Sequence, residues 1–207
     1  MTLTITPEEV TVDQVVAFHG HQCPGLAIGI QAGRVAWREI GPPAVDEEMV
    51  AVVETDLCAV DAIQRMTGCT FAKGNLVFRD WGKVVFTFFG RNCGRAVRVA
   101  LRPDAFAADP LFVEHQALMA KAHAGEATPE EEARFRELHE IRSRTVLEMA
   151  PEVLFRVEEV DEPFPERARL HLSMACADCG ESVMETRVRR LGGRDLCIPC
   201  FDRAAAR

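Results

Sequence analysis

The sequence predicts an α+β protein: a core domain of helices packed on a mainly antiparallel sheet, with a small carboxy-terminal zinc ribbon. Three observations lead there. Helix-period stretches and β-branched runs follow one another in mixed order, and consecutive strands are joined by short turns, a pattern of α+β rather than doubly wound α/β folds. Thr128-Pro129-Glu130-Glu131 opens a long helix with a capping box and a proline in the first turn. Four cysteines near the end form two C-x2-C pairs, Cys176/Cys179 and Cys197/Cys200, separated by seventeen residues. The expected boundaries are residues 1–165 for the core and 172–207 for the ribbon, with Pro163-Phe164-Pro165 marking the exit from the core.

Taken in order, Thr11 to Phe18 reads as a short helix with Thr11 or Asp13 as its cap. It breaks at His19-Gly20-His21-Gln22-Cys23-Pro24-Gly25. Apolar residues resume from Leu26 through Trp37 and stop at Gly41-Pro42-Pro43, a second helix. Proline suits the first helical position, which puts Cys23 at or near the N-cap. Met49 to Val53 is an unbroken apolar run and reads as a buried strand. Thr55 or Asp56 can cap a helix from about Leu57 to Met66, and Gly68 stops it. Leu76–Phe78 and Val84–Phe89 flank Asp80-Trp81-Gly82-Lys83 and are expected to form a hairpin. Ala96 to Leu101 is a half-exposed third strand. Two helices follow; on the second, Phe135, Leu138, Val146 and Met149 share a face. Val153 to Val157 is a late strand.

Charge and composition narrow the function. Of 207 residues, 24 are Lys or Arg and 32 are Asp or Glu, a formal charge of −8. Residues 1–170 carry 18 basic and 27 acidic side chains and residues 171–207 carry 6 and 5, so neither part has the basic face that neutralising phosphates demands. Nucleic-acid binding is not expected. No apolar run reaches the ~20 residues of a membrane span, and residues 1–20 lack the basic start and apolar stretch of a secretory leader. The cytoplasm is the expected location. There, eight cysteines point to metal or catalysis before disulfides.

The terminal cysteines have a geometric logic. Two cysteines two residues apart can turn both sulfurs to one side of a tight turn, and two such turns close a tetrahedron around zinc at about 2.3 Å. Gly180 follows the first turn, and Gly192-Gly193 can bend a hairpin between the two. The few apolar residues of this segment cannot stabilise it alone, so metal binding must supply most of its folding energy. With all four ligands from protein, the zinc is structural, and a protein contact is its expected use.

A second cluster is suggested by His19, His21 and Cys23. At a spacing of two in extended chain, alternate side chains share a side, so the three can converge on one ion. A helix N-terminus favours thiolate at Cys23, and Cys58 near the start of the following helix has a similar setting. The expected ligands are His21, Cys23 and Cys58, with His19 as a fourth ligand or a supporting group. Cys69 lies eleven residues beyond Cys58, about 16 Å along a helix; it can join only if the helix is shorter or a second subunit supplies it. The bland alternative is a pair of buried thiols and a capping histidine. A different class of reading makes Cys23 or Cys58 a thiolate nucleophile or redox thiol with His21 as base; a third makes the chain a zinc-ribbon regulator.

Other candidates are weaker. Gly68 to Asn75 is a glycine-flanked loop but not a phosphate loop, because Lys73 precedes Gly74 instead of following a glycine. His139-Glu140 lacks a second histidine four residues on; His139, His115 and His123 read as solvated helix positions, and Cys93 as a turn residue.

Four ordered motifs resemble the FmdE family, named for the E subunit of formylmethanofuran dehydrogenase. They are Phe18-His19-Gly20-His21-Gln22-Cys23-Pro24-Gly25; Glu54-Thr55-Asp56-Leu57-Cys58-Ala59-Val60-Asp61-Ala62-Ile63-Gln64; Thr67-Gly68-Cys69-Thr70-Phe71 with Lys73-Gly74-Asn75-Leu76; and Asp80-Trp81-Gly82-Lys83. The resemblance implies an α+β core, often dimeric, with a Cys/His metal site and a carboxy-terminal zinc finger. By match it makes His19, His21, Cys23, Cys58, Asp61, Cys69, Lys73 and Asn75 site candidates. Ala72 departs from it, standing where glycine is expected, and its methyl group restricts backbone approach to a ligand. The implied role is a metal-binding homodimer serving a molybdenum or tungsten oxidoreductase, with zinc the expected metal in the core as well as in the ribbon. The chain has no pterin, flavin or iron–sulfur signature of its own.

Overall fold

The structure is a computed structural model that describes residues 10–107 and 109–206; the first nine residues, part of the stretch read above for leader features, lie outside them. The chain divides into two compact units, one running to Arg167 and one from Ala168. Among the described residues no helix is long and apolar enough to cross a membrane.

The first unit is α+β. Helix α1 (Val12–His19) starts at Thr11, whose hydroxyl accepts from Gln14 N while the Gln14 side chain accepts from Thr11 N, a complete capping box. Helix α2 (Pro24–Glu39) follows at once and buries ten of its sixteen residues, so it is the central helix. Gln31 is buried within it, and its Nε2 donates to the carbonyls of Val146, Leu147 and Met149. These belong to the end of α5 (Pro129–Glu148), whose last carbonyls have no partner within the helix. One buried amide therefore ties α2 to α5. Arg34 adds a bond to Leu147 O.

Strands β1 (Met49–Val53), β2 (Leu76–Phe78), β3 (Val85–Gly90), β4 (Arg95–Leu101) and β5 (Phe155–Glu159) form one sheet in the order β2-β1-β3-β4-β5. The expected hairpin between β2 and β3 does not form. Both strands pair with β1 instead, β2 parallel through α3 (Ala59–Thr67) and β3 antiparallel. The reason is burial: every residue of β1 is buried, so it belongs between two neighbours rather than at an edge. The Asp80–Lys83 segment crosses the end of β1, where Arg79 N bonds Val53 O and Lys83 N bonds Glu54 O. The remaining pairs, β3–β4 and β4–β5, are antiparallel, so the sheet is mainly antiparallel as expected.

Two other boundaries move. The late strand starts at Phe155, because Pro151–Leu154 forms a helical turn, α6, with proline in its first position. Helix α3 starts at Ala59 with Cys58 as N-cap, and neither Thr55 nor Asp56 caps it; Thr55 Oγ1 accepts from Leu57 N instead. The helical face of the sheet packs Ala51, Val53, Phe86, Phe88, Val97 and Val99 against α2, α3 and α5. Helix α4 (Pro110–Ala124) pairs with α5.

The second unit is small. Strands β6 (Ser173–Ala175) and β7 (Ser182–Met184) pair around the first cysteine pair, and β8 (Arg189–Leu191) and β9 (Arg194–Leu196) lead into α7 (Ile198–Ala205). Gly192 and Gly193 turn the β8–β9 hairpin at φ +55° and +78°, the positive values a two-residue turn of this kind requires.

Candidate metal centre and adjoining cavity

The carboxy-terminal cluster is the simpler. Cys176 and Cys179 sit on the β6–β7 turn, where Gly180 N bonds Cys176 O with Gly180 at φ +75°. Cys197 caps α7 and Cys200 lies on its first turn. All four sulfurs fall within 4.8 Å of one another. Zinc with four thiolates needs sulfurs about 3.8 Å apart, and Cys179 and Cys197 are separated by 3.9 Å. Cys197 N donates to Cys176 Sγ at 3.3 Å, and such backbone N–H bonds pull the Cys176 thiol down to about 6. The set fits a structural zinc.

The core cluster sits where α1 ends and α2 begins. Gly20, at φ +99°, closes α1 and turns the chain, so that His19, His21 and Cys23 place one ligand atom each within 4.8 Å of the others. The imidazoles of His19 and His21 are 4.5 Å apart. His19 Nδ1 meets Asp61 Oδ2 at 2.7 Å. A carboxylate accepts, so Nδ1 carries the proton and Nε2 keeps its lone pair, the tautomer a metal ligand needs. That Nε2 is 4.0 Å from Cys23 Sγ. Asp61 lies on the first turn of α3; its role is to hold the ligand rather than to ligate. Cys23 caps α2 as expected, accepting from Leu26 N at 3.2 Å. Its thiol is not lowered, however. Burial pushes it up to about 11, and nearby Cys58 adds to the push, outweighing the bond from Leu26.

Cys58 comes from the start of α3 and adjoins Cys23 across Gly25. A Cβ on Gly25 would stand 3.4 Å from Cys58 Cβ and 3.9 Å from Cys23 Sγ. It stands outside the His19–His21–Cys23 set. Three matched candidates are elsewhere. Cys69 is fully buried in the main core and its thiol donates to Met49 O at 3.4 Å; desolvation raises it to about 11. Asn75 is equally buried, bonding Asp46 O, Met49 O and Thr70 N. Lys73 Nζ bonds the carbonyls of Ala44 and Val45. Cys69, Lys73 and Asn75 thus clamp the 44–49 segment, while Phe71 of the same loop lines a hollow with His19, Cys58 and Asp61.

A cavity of about 750 Å³ opens beside His21, Cys23 and Cys58. Leu101, Phe106, Phe112 and Met119 supply much of its wall. Two histidines read above as solvated line it as well. His115 is 3% exposed; its Nε2 lies 3.0 Å from His139 Nδ1, and its Nδ1 lies 3.0 Å from Arg142 Nη1. Arg142 is itself buried, pairs with Asp109 at 3.6 Å and covers the Phe112 ring at 4.6 Å. Desolvation, then the charge of Arg142, lowers His115 to about 4. Desolvation also lowers His139, with His21 the largest charged contributor, so the two clusters are neighbours. The signal was present in the sequence: His139 and Arg142 fill positions between Phe135, Leu138 and Val146 on one face of α5.

Both units of the chain resemble known proteins. Residues 18–156 match the model of the FmdE family, described as molybdenum formylmethanofuran dehydrogenase operon, and residues 170–204 match the prokaryotic dksA/traR C4-type zinc finger. A protein of Archaeoglobus fulgidus named as a probable S-adenosyl-L-methionine-binding protein is 31% identical over 192 residues, 88% of this chain and 50% of that protein. The chain therefore spans about half the length of the curated relative it matches. The crystal structure of a tungsten formylmethanofuran dehydrogenase FmdE-like protein from Syntrophus aciditrophicus superimposes with a TM-score of 0.59, covering 97% of this chain and 95% of that one at 24% identity.

Proposed function

Because the chain belongs to the FmdE family, we propose that its core binds one transition-metal ion, zinc first among the candidates, through His19, His21 and Cys23, with Cys58 adjoining as a fourth donor. The observation that carries this reading is the convergence of three donor atoms within 4.8 Å, one of them held in its ligating tautomer by Asp61. A mixed imidazole and thiolate set suits zinc and its neighbours among the divalent metals. When bound, the ion would supply a Lewis acid at the mouth of the cavity. The protein's own share is to aim His19, to hold Cys23 in place at the end of α2, and to shelter a small organic molecule among apolar walls. The name carried by the Archaeoglobus relative supports a small-molecule ligand of that kind.

In this reading the protein is a homodimeric accessory to a molybdenum or tungsten formylmethanofuran-type dehydrogenase; the family's description supports the link to the molybdenum enzyme's operon, and the dimer is an expectation of the resemblance alone. Metal analysis of the full chain tests the core site. Two equivalents per chain are expected, falling to one in Cys23→Ser; a wild-type chain holding a single equivalent would sink the proposal. The thiol-enzyme alternative has less support, since burial raises the Cys23 thiol where a nucleophile needs it lowered.

A further inference from the structure

The donor order of the α4–α5 histidine pair is fixed by its buried end. Arginine has five N–H groups and no acceptor, so in the Arg142–His115 bond the imidazole Nδ1 must accept. A neutral His115 then carries its proton on Nε2 and donates it to His139 Nδ1. His139, having accepted at Nδ1, carries its own proton on Nε2. Among the described residues no buried side-chain nitrogen or oxygen lacks a partner, so this remaining N–H is reachable by solvent, and His139 is part of the cavity wall. His139 is thus the reverse of His19, whose proton points at Asp61 and whose lone pair is free. It is fixed as a donor and cannot ligate a metal as neutral imidazole.

The rest of the wall has the same polarity. Lys83, Arg102 and Arg142 line the cavity, and among the described residues no carboxylate does. Asp109 offsets Arg142, and Asp104, 3.5 Å from Arg102, offsets that guanidinium in part; Lys83 lies 5.3 Å from the Trp81 ring centroid. A volume of about 750 Å³ is within the range that encloses a drug-sized molecule, and the Phe106, Phe112 and Met119 surfaces call for an apolar or aromatic body. We infer that this cavity is the binding site of an organic anion, with its apolar body against Phe106, Phe112 and Met119 and an acidic oxygen accepting the His139 Nε2–H. The inference rests on the cavity and not on the core metal.

Two fluorescent probes differing by one charged group test it: 8-anilinonaphthalene-1-sulfonate and its neutral counterpart N-phenyl-1-naphthylamine, each titrated into the full-length protein. The sulfonate is expected to bind about tenfold more tightly, the worth of one charge-assisted hydrogen bond, and the advantage should shrink with added salt. His139→Phe keeps the ring and removes the donor; it should erase the advantage and leave amine binding unchanged. Lys83→Met, at an exposed position, should reduce the advantage even if His139→Phe folds poorly. Met119→Trp, which fills the cavity, should weaken both probes. Equal binding of the two probes by the wild type, an undiminished sulfonate advantage in His139→Phe with native circular dichroism, or indifference to Met119→Trp would each overturn the inference. His19 lies outside the cavity wall, so His19→Ala separates the two readings: it should lower metal content, and the sulfonate advantage that this variant keeps should still be lost on adding His139→Phe.

Discussion

In the carboxy-terminal unit, four thiols on two short turns close around one point, and nothing but their own turns is needed to aim them. In the core, the three donors share a loop of five residues, yet what aims them comes from far along the chain. Asp61 on α3 orients His19, Cys58 at the start of α3 adjoins Cys23 beside Gly25, and α4 and α5 supply part of the cavity beyond. The first arrangement leaves no open position and suits a structural ion; the second opens onto a chamber and suits an ion that meets a ligand. Local ligands make a metal the source of a fold. Distant supports make a fold the source of a metal site.

The largest effect should come from breaking the closed cluster. Cys200→Ser is expected to abolish ordered structure in residues 173–205, since structural zinc contributes on the order of 10–16 kcal/mol to such modules. Amide NMR dispersion reads this out, and a segment still folded without metal would end the contrast. Next is the packing beneath the open cluster. A methyl group on Gly29 would run into the Ala59 carbonyl and stand 2.7 Å from Ala62 Cβ, so Gly29→Ala should force α2 from α3. A cost of about 3 kcal/mol in urea unfolding is expected, with weakened core metal and an intact finger.

Acid should act on the core through His115. Its folded pKa of about 4 lies below the ordinary 6.5, so the unfolded chain binds the extra proton between those values. The stabilisation is therefore complete above pH ~6.5 and lost as pH falls toward ~4. A loss on the order of 3 kcal/mol is expected from this group, and His115→Phe, though less stable, should have a flatter acid limb in denaturant titrations. The smallest effect sharpens the comparison best. Asp61→Asn should lower core metal affinity about 10–100-fold in chelator competition, leaving global stability and the finger's zinc unchanged. Equal affinity in that variant would mean that His19 needs no orientation.

How much was legible follows from the same distinction. The finger could be read because its ligands and turns are adjacent in sequence, and His19, His21 and Cys23 could be read for the same reason. Asp61 was reached by likeness to a family, since nothing local ties position 61 to position 19. Cys69, Lys73 and Asn75 came by the same likeness and proved to be a buried thiol and a loop clamp. His115 and His139 were misread as solvated because their burial depends on α4 lying against α5. The thiol of Cys23 went the other way from its expected shift because a helix N-terminus is a local feature and burial is not.

Period, capping and spacing determined by themselves that this chain is α+β with a four-cysteine finger, because hydrogen bonds within a turn and sulfurs within a knuckle depend only on neighbours. Tertiary structure alone decided that β1 would separate β2 from β3, that Asp61 would orient His19, and that a cavity would open beside His21, Cys23 and His139. Those outcomes depend on which surfaces are taken from water together, and residues distant in sequence settle that jointly.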